Sequence, residues 1–193
     1  MGVSLSKGQS LPLTDATGGG LGTVRMGLGW DSADAAPGSA TVAAPVDLDA
    51  SAIFFDAAGR VLDTVWFQQL TSTDGSTRHT GDNLTGAGDG DDETILVDLA
   101  RVAAAVTHIV FVISSYGEQT FDSVRNAFSR LVDESAAGAP EVARYQLTDS
   151  GPHTAMIMSK VSRHGDGWRF EAIGERASGR SAMELLSAAA RIL

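Results

Sequence analysis

Apolar residues alternate with small or polar ones along most of the chain. Leu21 to Trp30 carries Val24, Met26, Leu28 and Trp30 at period two with glycines between them, the pattern of a strand with one buried face. Asp49 to Phe55 runs into the turn signal Asp56-Ala57-Ala58-Gly59, and Val61 to Leu70 resumes the extended pattern. Thr94 to Asp98, His108 to Tyr116, Val142 to Leu147, Thr154 to Arg163 and Trp168 to Ile173 bring the expected strands to eight or nine. The Gly-rich link Arg163-His164-Gly165-Asp166-Gly167 predicts a hairpin between the last two. Helical spacing shows in two places. Phe121, Val124, Phe128, Leu131 and Val132 recur at three and four, with Thr120 as N-cap and Gly138 and Pro140 as stops. Ser181 and Glu184 form a capping-box pair ahead of Met183, Leu185 and Leu186, which predicts a C-terminal helix over 180–193. Leu99 to Ala105 could add a short helical turn. The pattern predicts an all-β-dominated fold: a β-sandwich of two mostly antiparallel sheets with two or three short helices. No repeat or linker divides residues 1–193, so a single domain is expected.

Composition narrows the chemistry. With no cysteine among 193 residues, disulfides, thiolate nucleophiles and thiolate metal sites are excluded. Lys+Arg of 14 against Asp+Glu of 24 leaves a net charge of −10. Such a surface repels phosphate, which argues against nucleic acid and in favour of cations. The N-terminal residues show no basic stretch followed by an apolar one, and the run from Val102 to Ile113 is too short to span a bilayer. A cytoplasmic protein is expected.

One segment breaks the alternation. Gly81-Asp82-Asn83-Leu84-Thr85-Gly86-Ala87-Gly88-Asp89-Gly90-Asp91-Asp92-Glu93 holds five carboxylates and no cation in thirteen positions. Like charges so crowded repel one another unless a counterion bridges them. A hard cation that takes six to eight oxygen ligands answers that need, and calcium tolerates irregular cages better than magnesium. The alternative is a solvated acidic turn. An EF-hand does not fit, because Leu84 and Gly86 fall where side-chain oxygens belong and Ala87 where glycine is required. A phosphate loop does not fit either, since no Lys-Ser/Thr ends the segment. Asp47 and Asp49 lie two apart at a strand start, so both point to one face, and Asp31 follows Trp30 at another strand end. These acids favour the metal reading.

Taken together, these blocks resemble the TerD family of tellurium-resistance and general-stress proteins. The resemblance runs through Gly2-Val3-Ser4-Leu5-Ser6-Lys7-Gly8, Gly27-Leu28-Gly29-Trp30-Asp31 and Asp47-Leu48-Asp49-Ala50-Ser51-Ala52. It is densest at His79-Thr80-Gly81-Asp82-Asn83-Leu84-Thr85-Gly86 and Gly88-Asp89-Gly90-Asp91-Asp92-Glu93. It continues through Phe121-Asp122-Ser123-Val124-Arg125-Asn126-Ala127-Phe128, Ala143-Arg144-Tyr145 and the stretch from Trp168 to Gly174. The resemblance implies a two-sheet sandwich that binds calcium, two ions, without an established enzymatic activity. It also implies work alongside related stress proteins or in a membrane-associated complex. The ligand set it suggests is Asp31, Asp47, Asp49, Asp82, Asn83, Gly88, Asp89, Asp91, Asp92 and Glu93, with no catalytic residue. The sequence departs from the pattern at Gly117, where members commonly carry Asp; if that Asp serves a metal site, either Glu118 substitutes or the site is weaker here.

Two other readings remain. Asp91, Asp92 and Glu93 could hold a catalytic metal in a hydrolase, with Arg78 the nearest cation. The domain could instead be a calcium-dependent docking module for a membrane or a protein. If Asp49 and Asp91 share one site, neutralising either should stabilise the metal-free fold by relieving repulsion.

Overall fold

A computed structural model describes residues 2–15, 17–32, 46–84, 90–117, 119–147 and 150–193. Its strands are β1 (Val3–Leu5), β2 (Ser10–Pro12), β3 (Thr23–Ser32), β4 (Leu48–Phe55), β5 (Val61–Val65) and β6 (Thr77–His79). They continue as β7 (Glu93–Asp98), β8 (His108–Ser115), β9 (Val124–Asp133), β10 (Glu141–Gln146), β11 (Ala155–His164) and β12 (Gly167–Ala177). One helix, α1 (Ala182–Ala190), follows. The strands form two six-stranded sheets, ordered β1-β10-β9-β3-β7-β6 and β2-β12-β11-β8-β4-β5. Every pairing is antiparallel except that of β1 with β10. The expected sandwich class is the observed one.

The inward residues of both sheets make the main core. Val24, Met26, Leu28 and Trp30 of β3 meet Leu48, Ala50, Ala52 and Phe54 of β4 there, as period two requires. β4 is buried along its whole length because α1 covers the opposite face of its sheet. Ile53, Phe55, Val110, Val112 and Ile157 pack beneath Leu185 and Ala189 of the helix in a second apolar cluster. Lys160 Nζ donates to the Ile192 carbonyl at 2.7 Å, placing a cation at the helix C-terminus. Ser181 is the N-cap, but its side chain makes no cap bond, and Glu184 instead accepts from the Arg180 N–H at 3.1 Å.

Two expected helices are absent. The segment expected as a helix is a single 3₁₀ turn at Phe121–Ser123 followed by strand β9 from Val124. Up to Leu131 its buried positions are Val124, Ala127, Ser129 and Leu131, a period of two with one step of three, and Val132 and Asp133 are buried as well. The extra residue is a bulge: the register with β3 slips between Gly29 and Asp31, and Asn126 sits at φ 52°. A bulge shifts the alternation by one, so spacings of two and three mimic those of a helix. Leu99 to Ala105 makes turn hydrogen bonds to the Asp98 carbonyl and no regular helix. The strand expected over Val61 to Leu70 ends at Val65, where a tight turn bridges Trp66 to Gln69. The three-residue strands β1, β2 and β6 carry too few positions for a period to show.

Candidate metal centre

Several strand ends meet at one pole of the sandwich. β4 and β7 begin there, and β3, β5, β6 and β8 end there. The acidic segments of the sequence therefore converge even though they lie far apart along the chain.

Asp47, Asp49 and Asp82 each place a carboxylate oxygen within 4.8 Å of the other two. Asp49 is the buried member, 4% exposed, Asp47 is half-buried and Asp82 faces solvent. Burial first, and then the charges of Glu93, Asp47 and Asp82, push the Asp49 carboxyl up from 3.8 to about 8. Asp47 is likewise raised, by burial and by the charges of Asp82 and Glu93. The unsatisfied atoms point the same way. Asp47 Oδ1 and Asp49 Oδ2 are buried with no hydrogen-bond partner among the described residues. So are the hydroxyls of Ser51, two residues beyond Asp49, and of Ser114, its cross-strand neighbour. Buried polar atoms in folded proteins are almost always partnered, so several orphan oxygens in one place require an explanation.

Glu93 and His79 form the inner wall. Glu93 is fully buried and accepts from the Ala50 N–H at 2.7 Å and the Asn83 N–H at 3.1 Å. The Ala50 N–H needs it, because β5 reaches β4 only from Ala52 onward. His79 Nδ1 accepts from the Gly81 N–H at 3.1 Å, which leaves the proton of a neutral ring on Nε2, 3.3 Å from Glu93 Oε2. No hydrogen bond forms across that contact, and Nε2 counts among the orphan atoms. His79 therefore sits behind Glu93, which itself touches both acidic segments.

The remaining acids occupy different surroundings. Asp92 accepts from the Trp30 N–H at 2.9 Å and from Asn83 Nδ2 at 3.1 Å. Burial raises its carboxyl, the Trp30 hydrogen bond opposes that, and the charges of Asp31 and Asp91 add to the rise. Asp31 is exposed and accepts from Asn126 Nδ2 at 2.7 Å. Asn126 is held in the left-handed region that asparagine tolerates better than most residues. Asp31 and Asp92 thus form a second acidic pair beside the first group.

Asp91 stands apart. Its carboxylate is gripped by Arg25 and by Arg130, whose Nε lies at 2.6 Å, and its side chain is nearly buried between them. The pair continues outward, Arg25 to Glu134 at 2.5 Å and Arg130 to Glu141 at 3.6 Å. The expectation that Asp91 shares the site of Asp49 as a repelled charge is corrected here: its charge is already neutralised on the outer face of the β3 sheet. Gly27 makes this possible, since a Cβ there would collide with the Asp91 carboxyl. A Cβ on Gly29 would lie 2.5 Å from the Gly90 carbonyl and from the Phe128 ring. The return leg of the acidic segment lies across β3 at these two glycines, with Asp92 N–H donating to the Leu28 carbonyl at 2.7 Å.

Of the ten ligands suggested by sequence, Asp47, Asp49 and Asp82 come together, with Glu93 and Asn83 bonded behind them. Gly88 and Asp89 lie outside the described residues, as does Glu118. Ser51, Ser114 and Arg130 carried no signal of their own as site residues. Arg25 did precede Gly27 and Gly29 at period two on the outward face of β3, a row on which one long cation among small residues marks a place for something to lie.

Comparison with known proteins gives a consistent picture. The family model of the TerD domain matches residues 1–186. Tellurium resistance protein TerZ of Serratia marcescens is 41% identical over 182 residues, covering 93% of this chain and 92% of that protein. General stress protein 16U of Bacillus subtilis (strain 168) is 41% identical over 187 residues, covering 93% of each. The crystal structure of a homologue of the telluride resistance protein TerD from Streptomyces coelicolor A3(2) superposes with a TM-score of 0.70. It covers 86% of this chain and 96% of its own at 21% identity, a likeness of fold.

Proposed function

The chain belongs to the TerD domain family, and on that premise we propose that it is a non-catalytic calcium-binding protein of the tellurium-resistance and stress response. The names of its relatives support the biological setting. The observation that carries the calcium reading is the set of orphan oxygens at Asp47, Asp49, Ser51 and Ser114, gathered where three carboxylates converge.

The donor set fits the ion. All the convergent atoms are hard oxygens, and they come from strand ends and loops rather than from a rigid octahedral frame, which suits calcium better than magnesium. Asp47, Asp49 and Asp82 would hold it. Bound calcium would supply two positive charges where the protein has gathered three negative ones. Glu93 and His79 orient the site from within, Glu93 by fixing the Ala50 and Asn83 backbones. A second ion, implied by the resemblance, has Asp31 and Asp92 as its described candidates. The reading is that of a cytoplasmic protein working beside related stress proteins. Among the described residues no helix is long and apolar enough to cross a membrane.

Titration calorimetry with calcium, repeated in excess magnesium, tests the proposal. Heat of binding with calcium that magnesium does not abolish, and a melting temperature that rises with calcium, are expected. No heat and an unchanged melting temperature at millimolar calcium would end it.

A further inference from the structure

The pole that carries the acids also carries exposed apolar side chains on three separate connections. Leu84, two residues from Asp82, is 60% exposed. Tyr116, whose N–H donates to the Asp47 carbonyl at 3.3 Å, is 50% exposed. Phe67 and Trp66, in the turn after β5, are half-buried and join Tyr116 in a chain of rings. Trp66 meets Phe67 at 4.8 Å and 68°, and Phe67 meets Tyr116 at 5.7 Å and 81°. Single exposed apolar residues are unremarkable. Here they surround a group of carboxylates that has orphan oxygens of its own.

We propose that this pole docks on an anionic phospholipid bilayer when calcium is bound, the ion bridging the carboxylates to lipid phosphate while Leu84, Tyr116 and the Trp66–Phe67 turn enter the headgroup layer. The proposal rests on the calcium reading above. Its chemistry follows from charge. Without the ion, a chain of net charge −10 with carboxylates at this pole is repelled by an anionic surface. With it, two positive charges offset most of the three negative ones, so the repulsion falls and the ion itself faces the phosphate. Asp82 faces solvent, so an ion held with Asp47 and Asp49 is reached from outside. Calcium takes six to eight oxygens, which leaves positions for ligands that the protein does not supply. The apolar rim then adds the term that holds a peripheral protein at an interface, where tyrosine and tryptophan are favoured. The rings meet edge to face, so they offer no flat platform for stacking a sugar, and aliphatic Leu84 completes a rim suited to lipid.

The test is co-sedimentation of the whole chain with vesicles of phosphatidylserine and phosphatidylcholine, or of phosphatidylcholine alone, in calcium and in chelator. Calorimetry without vesicles runs in parallel. Binding to the anionic vesicles only, and only with calcium, is expected, with a blue shift of Trp66 emission, since Trp30 and Trp168 are buried already. The double variant Leu84→Ser, Tyr116→Ser should keep its calcium heat and melting temperature and lose roughly tenfold in apparent vesicle affinity. Calcium heat without vesicle binding would overturn the docking and leave the calcium reading standing. Absence of calcium heat would overturn both. Equal binding to neutral vesicles would refute the bridge, and wild-type vesicle affinity in the double variant would refute the rim.

Discussion

Replacing Asp49 with asparagine keeps the shape of the side chain and removes the charge that the site cannot match internally. Burial, then Glu93, Asp47 and Asp82, raise this carboxyl from 3.8 to about 8. An acid whose folded value is raised binds protons more tightly folded than unfolded. Stability is therefore fullest below the unfolded value, declines as pH rises between the two, and levels off above about 8. At pH 7 the loss has a ceiling of roughly 4 kcal/mol, at about 1.4 kcal/mol per decade. Solvent reaching the site past the exposed Asp82 screens the charge and brings this nearer about 2 kcal/mol. In a domain of this size that is about 4–8 °C in melting temperature. Melting curves of the wild type and Asp49→Asn, in chelator at pH 5 and pH 7.5 and then in calcium, supply the test. At pH 5, only about one decade above the unfolded value of 3.8, the variant's advantage should be roughly a third of that at pH 7.5, and it should close only below the unfolded value. At pH 7.5 in chelator the variant should melt higher by the amount above. In calcium the order should reverse, since the variant has lost a charged ligand and the wild type gains binding energy by mass action. Curves that stay parallel at every pH in chelator would refute the account of Asp49 as a buried, unmatched charge.

Three further outcomes follow. Asp91→Asn should destabilise the protein by about 2 kcal/mol with or without calcium, because it leaves Arg25 and Arg130 facing an amide; urea unfolding in chelator checks the sign, which is opposite to that for Asp49. Gly29→Ala should cost about 2 kcal/mol or more, since the added methyl meets the Gly90 carbonyl and the Phe128 ring at 2.5 Å; the drop appears in the same unfolding midpoint. Leu185→Ala should cost about 3 kcal/mol by emptying the contact between α1 and the sheet beneath it, and amide exchange should show the loss concentrated in β4, β8 and the helix.

Much of the fold was legible because period-two burial depends only on the strand itself. Val24 to Trp30 and the hairpin at Arg163 to Gly167 read directly. The failure at Phe121 to Val132 has a local cause: one inserted residue at Asn126 turns alternation into apparent helical spacing, and only pairing with β3 and β10 reveals the strand. At the site, clustering of acids in sequence marked the right segments but could not sort them. Asp91 and Asp92 are neighbours in the chain, yet one faces Arg25 and Arg130 across the outer sheet face and the other faces Asn83 and the Trp30 backbone. All of those partners but Asn83 come from strands more than thirty positions away, as do Ser114 for Asp49 and Ala50 for Glu93. Charge density is a property of the sequence; neutralisation is a property of the fold.

That sorting also determines what an ion has to do. The acidic segment is anchored on its return leg without one: Asp91 by two arginines, Asp92 by the Trp30 and Leu28 backbone, and Glu93 by Ala50 and Asn83. Trp30 Nε1 donates to the Val46 carbonyl at 2.8 Å, which fixes the approach to Asp47 by the same residue that holds Asp92. The frame around Asp47, Asp49 and Asp82 is therefore built by hydrogen bonds and packing, and the unmatched charges are what remains at its centre. In small domains where metal supplies the frame, removing it unfolds the chain. Here the frame precedes the ion, so calcium should raise the melting temperature according to its concentration relative to its Kd while far-ultraviolet circular dichroism stays unchanged. The energy of binding would then go into relieving carboxylate repulsion at one pole, which leaves the other end of the sandwich indifferent to whether calcium is present.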